Sequence, residues 1–269
     1  YLHVLSGADE VAISEKNCAV QNEHGASNEM IDRYELGRRF PSMRTDDIDA
    51  ALHGPQDGFV DPHAAVIGFR RKARSLGVEF IQDRVVGFEA NSKMVQKVLL
   101  QSGNKIDGDV FVNVAGAWGP ELSKSIGLNF PVEPLSRSTF YAETREELET
   151  MPLTKDPSHV SFRQEGAGYT FGLTDADVPG GFNWDVKHHL FDDIMWPAVG
   201  HRVPKFESLK VMRSWSGHYA YNRLDGNTII GNWAGGLENY YFATGFSGAG
   251  LQKGPAIGRA MKELLLDGE

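Results

Sequence analysis

The run YYFATGFSGAGLQKGPAIGRAM, residues 240–261, decides how the chain is read. Five strand-forming residues, Tyr240 to Thr244, lead into a loop of small residues and then into a helix-forming stretch. Glycines let a backbone approach a flat ligand closely, and a helix N-terminus adds free N–H donors and a partial positive charge. Both phosphate fingerprints fail here. No three of Gly245, Gly248, Gly250 and Gly254 match G-x-G-x-x-G, and none precedes Gly-Lys-Ser/Thr at P-loop spacing. A flavin ring, whose reduced form is negative near N1 and the O2 carbonyl, suits such a loop. So does a plain packing role that brings the last helix close to its strand.

Two earlier stretches share this character. In DVFVNVAGAWGPELSKSIGL (residues 109–128) an apolar strand, Val110 to Val114, turns at Ala115-Gly116-Ala117 into a helix from Pro120 to Ile126. In DPHAAVIGFRRKARSLG (residues 61–77) Asp61 can cap, Pro62 suits the first turn, Val66, Phe69 and Ala73 recur on one face, and Gly77 ends the helix. VEFI and RVVGFEA then read as short strands, and a hairpin should turn at Ser102-Gly103-Asn104.

Further helices are predicted over 7–25, 28–38 and 186–199, and strands and turns fill 131–182. Later strands are expected at 210–215 and 228–231, with Asp225-Gly226-Asn227 as a hairpin turn between them. This order predicts a mixed α/β fold. A partial Rossmann-like cofactor domain (52–118 and 210–269) is interrupted by a β-rich cap with a mostly antiparallel sheet (1–51 and 119–209).

Composition removes several classes. With 27 basic against 36 acidic residues the formal charge is −9, which opposes a general nucleic-acid or anionic-membrane surface. No apolar run approaches the roughly 18 residues a membrane span needs. Cys18 is the sole cysteine, so neither an internal disulfide nor a multi-cysteine metal site can form, and a reducing compartment is expected. His188 with Asp192, and His189 with Asp193, have helical i, i+4 spacing but lack a third ligand, so no metal is expected.

Taken together, the DP helix, the G-V and R-V strands, the strand ending N-V-A-G-A-W and the closing G-F-S-G-A-G resemble the D-amino-acid-oxidase-like family of FAD-dependent oxidoreductases. That family includes glycine and sarcosine oxidases. The resemblance covers nearly the whole chain and departs from the family pattern at Val114, where alanine is usual.

It implies non-covalent FAD, with the Val85 backbone at the adenine and Ala115, Gly116 and Trp118 along the phosphate-ribose side. Gly245, Ser247, Gly248, Ala249, Gly250 and Leu251 would line the isoalloxazine. It also implies oxidation of a C–N bond in a small amine or amino acid by hydride transfer, with His218, Tyr219 and Tyr221 facing the reacting carbon. Where some members carry an arginine that binds the substrate carboxylate, the corresponding positions here are His218 and Tyr219, and Gln252 stands where a lysine follows the glycine loop in sarcosine oxidases.

Members also open with a strand–GxGxxG–helix unit, and no G-x-G-x-x-G occurs in these 269 residues. A truncated segment unable to hold FAD alone, or a unit supplied by another chain, is therefore an expectation beside the enzyme. Another is a flavoprotein scaffold for respiratory complex I assembly, partnered by complex subunits or an electron-transfer protein. The expected location is bacterial cytoplasm or eukaryotic mitochondrial matrix.

Overall fold

The computed structural model describes residues 1–173, 178–233 and 236–268. The chain opens with β1 (Leu2–Leu5), α1 (Ala8–Glu23), β2 (Glu29–Asp32), α2 (Arg33–Arg39) and β3 (Ala50–His53). Next come α3 (Pro62–Ser75), β4 (Val85–Ala90), β5 (Val95–Leu100), β6 (Lys105–Asp107), β7 (Phe111–Asn113) and α4 (Gly119–Lys124). Then follow β8 (Val132–Glu143), β9 (Thr154–Lys155), β10 (Val160–Glu165), β11 (Gly168–Leu173), α5 (Trp196–Arg202) and β12 (Lys210–Asn222). The last elements are β13 (Ile229–Asn232), β14 (Tyr240–Thr244) and α6 (Gly250–Leu266). The fold is mixed α/β, as expected.

The described residues group into two compact units. The first comprises Tyr1–Phe59, Arg137–Asp177 and Asn183–Gly217. Its sheet has the order β12-β8-β11-β10-β9-β1-β3-β2, and from β8 to β2 every pairing is antiparallel except β1 with β9. Phe162, Phe171 and Phe206 are fully buried, and the Phe206 ring meets the other two at 5.4 and 5.7 Å. Each such ring contributes about 1.5–3 kcal/mol on burial.

A buried cation ties this unit's loops together. Arg202 donates from Nε to Asp156 (2.6 Å) and from both terminal nitrogens to Asp47 (2.8 and 3.0 Å), and it also reaches the Arg44 carbonyl. The bond from Arg202 is the main reason the Asp47 carboxyl is held down to about 2. A carboxylate whose folded-state pKa is depressed stabilises the fold fully above its unfolded value and loses that contribution as pH falls. The Asp47 contribution to the urea midpoint should therefore be constant from neutrality to about pH 5 and should decline from there toward pH 2. In Asp47→Asn this part of the decline should be missing.

The second unit comprises Val60–Ser136, Val178–Phe182 and His218–Glu269. It contains an antiparallel sheet, β4-β5-β6, and a second sheet, β13-β14-β7, in which β14 and β7 run parallel. Phe88 of β4 packs edge-on against Tyr240 of β14 at 5.4 Å, so the two sheets share a core with Phe111, Phe130 and Phe242. The outward side of β7 is bare: Val112 is exposed, as are Val110 and Val114 beside the strand. α3 forms as its cap predicts, with Asp61 Oδ1 accepting from the Ala64 N–H at 3.0 Å, yet it has no buried residue.

Four local expectations change. Residues 29–32 are a strand, and α2 begins only after Asp32, whose side chain caps it. VEFI is not a strand, because a strand needs a neighbour and residues 78–81 pair with none among the described residues. The helix predicted over 186–199 is a π-helical turn, Phe191–Met195, continuing into α5. The Asp225-Gly226-Asn227 turn forms, with Gly226 at φ +70°, but it joins strands of different sheets and so makes no hairpin.

Candidate functional site

β7 and β14 are parallel neighbours, with Tyr240 opposite Phe111 and Phe242 opposite Asn113. The loops that follow them, 114–118 and 245–249, therefore leave the same end of the same sheet, the carboxyl end. Open α/β sheets bind their ligands at this end. Both glycine-rich loops singled out in the sequence thus lie side by side at the expected place.

The first loop is held from behind by a buried polar cluster that the sequence reading missed. Asn113 accepts the Ala115 N–H on Oδ1 at 3.0 Å. Its Nδ2 lies 2.8 Å from the Gly119 carbonyl, 2.9 Å from Tyr240 Oη and 3.0 Å from Ser123 Oγ. Burial pushes the Tyr240 phenol up, and the bonds to Ser123 and Asn113 pull it back. The cluster fixes where Ala115 begins its turn, and Gly116 follows at φ +57°. Asparagine as the final strand residue before a small-residue loop was the only available signal.

The second loop bends through left-handed backbone at Gly245 (φ +69°), Ser247 (φ +48°) and Gly248 (φ +93°). A Cβ on Gly248 would lie 2.8 Å from the Tyr219 ring, so the loop rests directly on that side chain. α6 then starts at Gly250 with no side-chain cap and no acidic residue in its first turn. The first amides of a helix have no intrahelical acceptors, and their dipole favours negative charge. Leu251 and Gln252 belong to this first turn and are exposed. Thr244, at the end of β14, carries a buried hydroxyl with no hydrogen-bond partner among the described residues.

The other expected residues are placed as follows. Trp118 stacks on Phe182 at 4.9 Å, and Phe182 meets the His218 ring edge at 5.1 Å, giving an aromatic row. Phe182 went unnoticed in the sequence because it belongs to a short segment far from both loops in the chain. Tyr221 lies under the Arg223 guanidinium at 5.2 Å. Val85 opens β4, opposite Leu100, in the sheet that does not contain the parallel pair. His188 packs against Phe140 at 6.1 Å, and among the described residues no three metal-ligating side chains converge.

Glycines at left-handed φ, an uncapped helix start and an orphaned strand-end hydroxyl, all at one sheet end, fit the ring end of a flavin cofactor. Among known proteins the chain is similar to FAD-dependent oxidoreductase domain-containing protein 1 of Bos taurus. The two are 33% identical over 301 residues, which take in 98% of this chain and 62% of the bovine protein. It is also similar to the mitochondrial dimethylglycine dehydrogenase of Homo sapiens, at 25% identity over 91% of this chain and 30% of that protein. The chain thus spans less than two thirds of the length of these relatives.

Of solved structures, L-proline dehydrogenase from P. horikoshii matches with a TM-score of 0.89 and 25% identity, over 100% of this chain and 72% of that one. Glycine oxidase from Geobacillus kaustophilus matches in fold with a TM-score of 0.82 and 18% identity, over 98% of this chain and 69% of that one. A family profile agrees with these likenesses along residues 1–264. The chain belongs to the DAO family of FAD dependent oxidoreductases.

Proposed function

We propose that this chain is the flavin-facing part of an oxidoreductase acting on the C–N bond of a small amine or amino acid. The observation that carries the reading is the pair of glycine-rich loops leaving adjacent parallel strands at one sheet end. Family membership implies FAD, which when bound accepts the hydride of such an oxidation. Ala115, Gly116 and Trp118 would hold its phosphate-ribose side, and Val85 its adenosine. The backbone from Gly245 to Leu251 would meet the ring, its amides stabilising the negative charge of the reduced state.

His218, Tyr219 and Tyr221 would shape the substrate side and hold or pass the amine's proton, with Gln252 beside them. The cofactor would be held without a thioether link, since Cys18, the only cysteine of the sequence, is buried in α1. The proposal gives the cofactor role to 52–118 and 210–269 and the cap role to 1–51 and 119–209.

A second reading, a flavoprotein that aids assembly of respiratory-complex subunits with little turnover, is favoured by one observation. Positions 218 and 219 carry histidine and tyrosine where some family members carry a carboxylate-binding arginine. An electron-transfer partner and a mitochondrial or cytoplasmic location belong to the same proposal.

Anaerobic mixing of the flavin-loaded protein with a panel of secondary amines, N-methylated amines and amino acids tests the first reading. Loss of the visible flavin band with at least one of them is expected. Retention of the band with every compound would sink the enzymatic reading in favour of the assembly role.

A further inference from the structure

Ser247 is a non-glycine residue in left-handed backbone at φ +48°. That conformation is disfavoured for an L-residue by about 1–2 kcal/mol, so something must hold it there. Its N–H donates to the Ala220 carbonyl at 3.0 Å. Its Oγ accepts from the Asn222 N–H at 3.0 Å and donates to the Gly245 carbonyl at 3.2 Å. The two bonds reach Ala220 and Asn222, on either side of Tyr221, as one residue of a parallel pair bonds its neighbouring strand, with Oγ in the place of the main-chain carbonyl.

Asn222 completes the attachment. It is buried, and its Nδ2 donates to Asp225 Oδ1 at 2.8 Å and to the Asn227 carbonyl at 2.7 Å. Its Oδ1 accepts the Leu224 N–H at 3.0 Å. The Asn222 Cβ also lies 3.2 Å from where a Gly245 Cβ would stand. The end of β12 therefore holds the loop at Gly245 and Ser247, and Tyr219 from the same strand supports it at Gly248.

We infer that Ser247 and Asn222 are positioning residues that lock the glycine loop to β12, so that the amides of residues 249–252 are pre-set for the cofactor's ring. The functional half of this inference rests on the reading of the loop as the flavin wall. Neither side chain needs to touch the ring, since both act through the backbone they hold. The lock also fixes the loop relative to His218, Tyr219 and Tyr221 on the same strand.

Two substitutions separate the hydrogen bonds from the backbone strain. Ser247→Ala removes Oγ and keeps the strain; Ser247→Gly removes both. If the lock is the Oγ bridge, both variants lose it. Amide hydrogen exchange across 245–252 in the ligand-free protein should then accelerate roughly tenfold in each, the worth of one such bond. Exchange in β5 and β10 should stay as in the parent.

Titration of the flavin-free protein with FAD should show affinity weakened by a similar factor, and the loaded variants should show a shifted visible band. Unchanged exchange across 245–252 in Ser247→Ala would overturn the lock whether or not flavin binds. Faster exchange with unaltered flavin affinity and spectrum would overturn its positioning role. Failure of the unsubstituted protein to take up flavin would instead count against the proposed function, and the exchange result would still decide the lock.

Discussion

Replacing Arg202 with leucine is expected to lower folding stability by about 3–5 kcal/mol, the range for removing one partner of a buried ion pair. Arg202 is 2% exposed and Asp156 is 7% exposed. The substitution removes every donor that the guanidinium directs at Asp156, Asp47 and the Arg44 carbonyl. Asp156 is left as a carboxylate out of water with its cation gone, and this makes the loss large. A surface pair would be worth under about 1 kcal/mol. The double variant Arg202→Leu with Asp156→Asn removes both charges and should recover a substantial part of the loss. Urea unfolding of the three proteins at neutral pH decides the matter; a loss below about 1 kcal/mol in the single variant would mean the pair does not hold the unit.

The second large effect is expected from Gly248→Ala. The new methyl carbon would meet the Tyr219 ring at 2.8 Å, and the backbone there sits at φ +93°, which an L-residue adopts only with strain. Strain of this kind runs to about 1–3 kcal/mol, and either the loop or Tyr219 must move. Flavin affinity should fall roughly tenfold to a hundredfold, at about 1.4 kcal/mol per decade. Gly258→Ala, inside α6 and not followed by a proline, is the matched control, with nothing within 4 Å of its added carbon. It should leave affinity alone and add up to about 1 kcal/mol through helix propensity. Equal flavin affinity in the two variants would show that the loop tolerates displacement.

Much of this site could be read from the sequence because its signals are local. A strand, a small-residue loop and a helix follow one another twice, and each set is contiguous in the chain. The α3 cap was legible for the same reason, since Asp61 and Ala64 are three residues apart. The supports were not legible. Asn222 reads as the start of a turn, and only folding brings Ser247, twenty-five residues away, to its N–H. Asn113 and Tyr240 are separated by 127 positions, and Phe182 reaches Trp118 across about half that length of chain. VEFI shows the opposite failure: its composition favours a strand, but composition cannot supply the neighbour that makes one.

α3 carries a consequence of its own. A helix of 14 residues with none buried depends on its cap, its first-turn proline and the stacking of Arg70 and Arg74 on Phe80. Helices of that length are marginal when only local forces hold them. The opening free energy of α3 therefore lies near the bottom of the range for this molecule, far below that of β10 or β14 with their buried rings. The helix is thus a sensitive internal gauge: whatever comes to cover Val66 and Phe69 adds its stabilisation to a baseline close to zero.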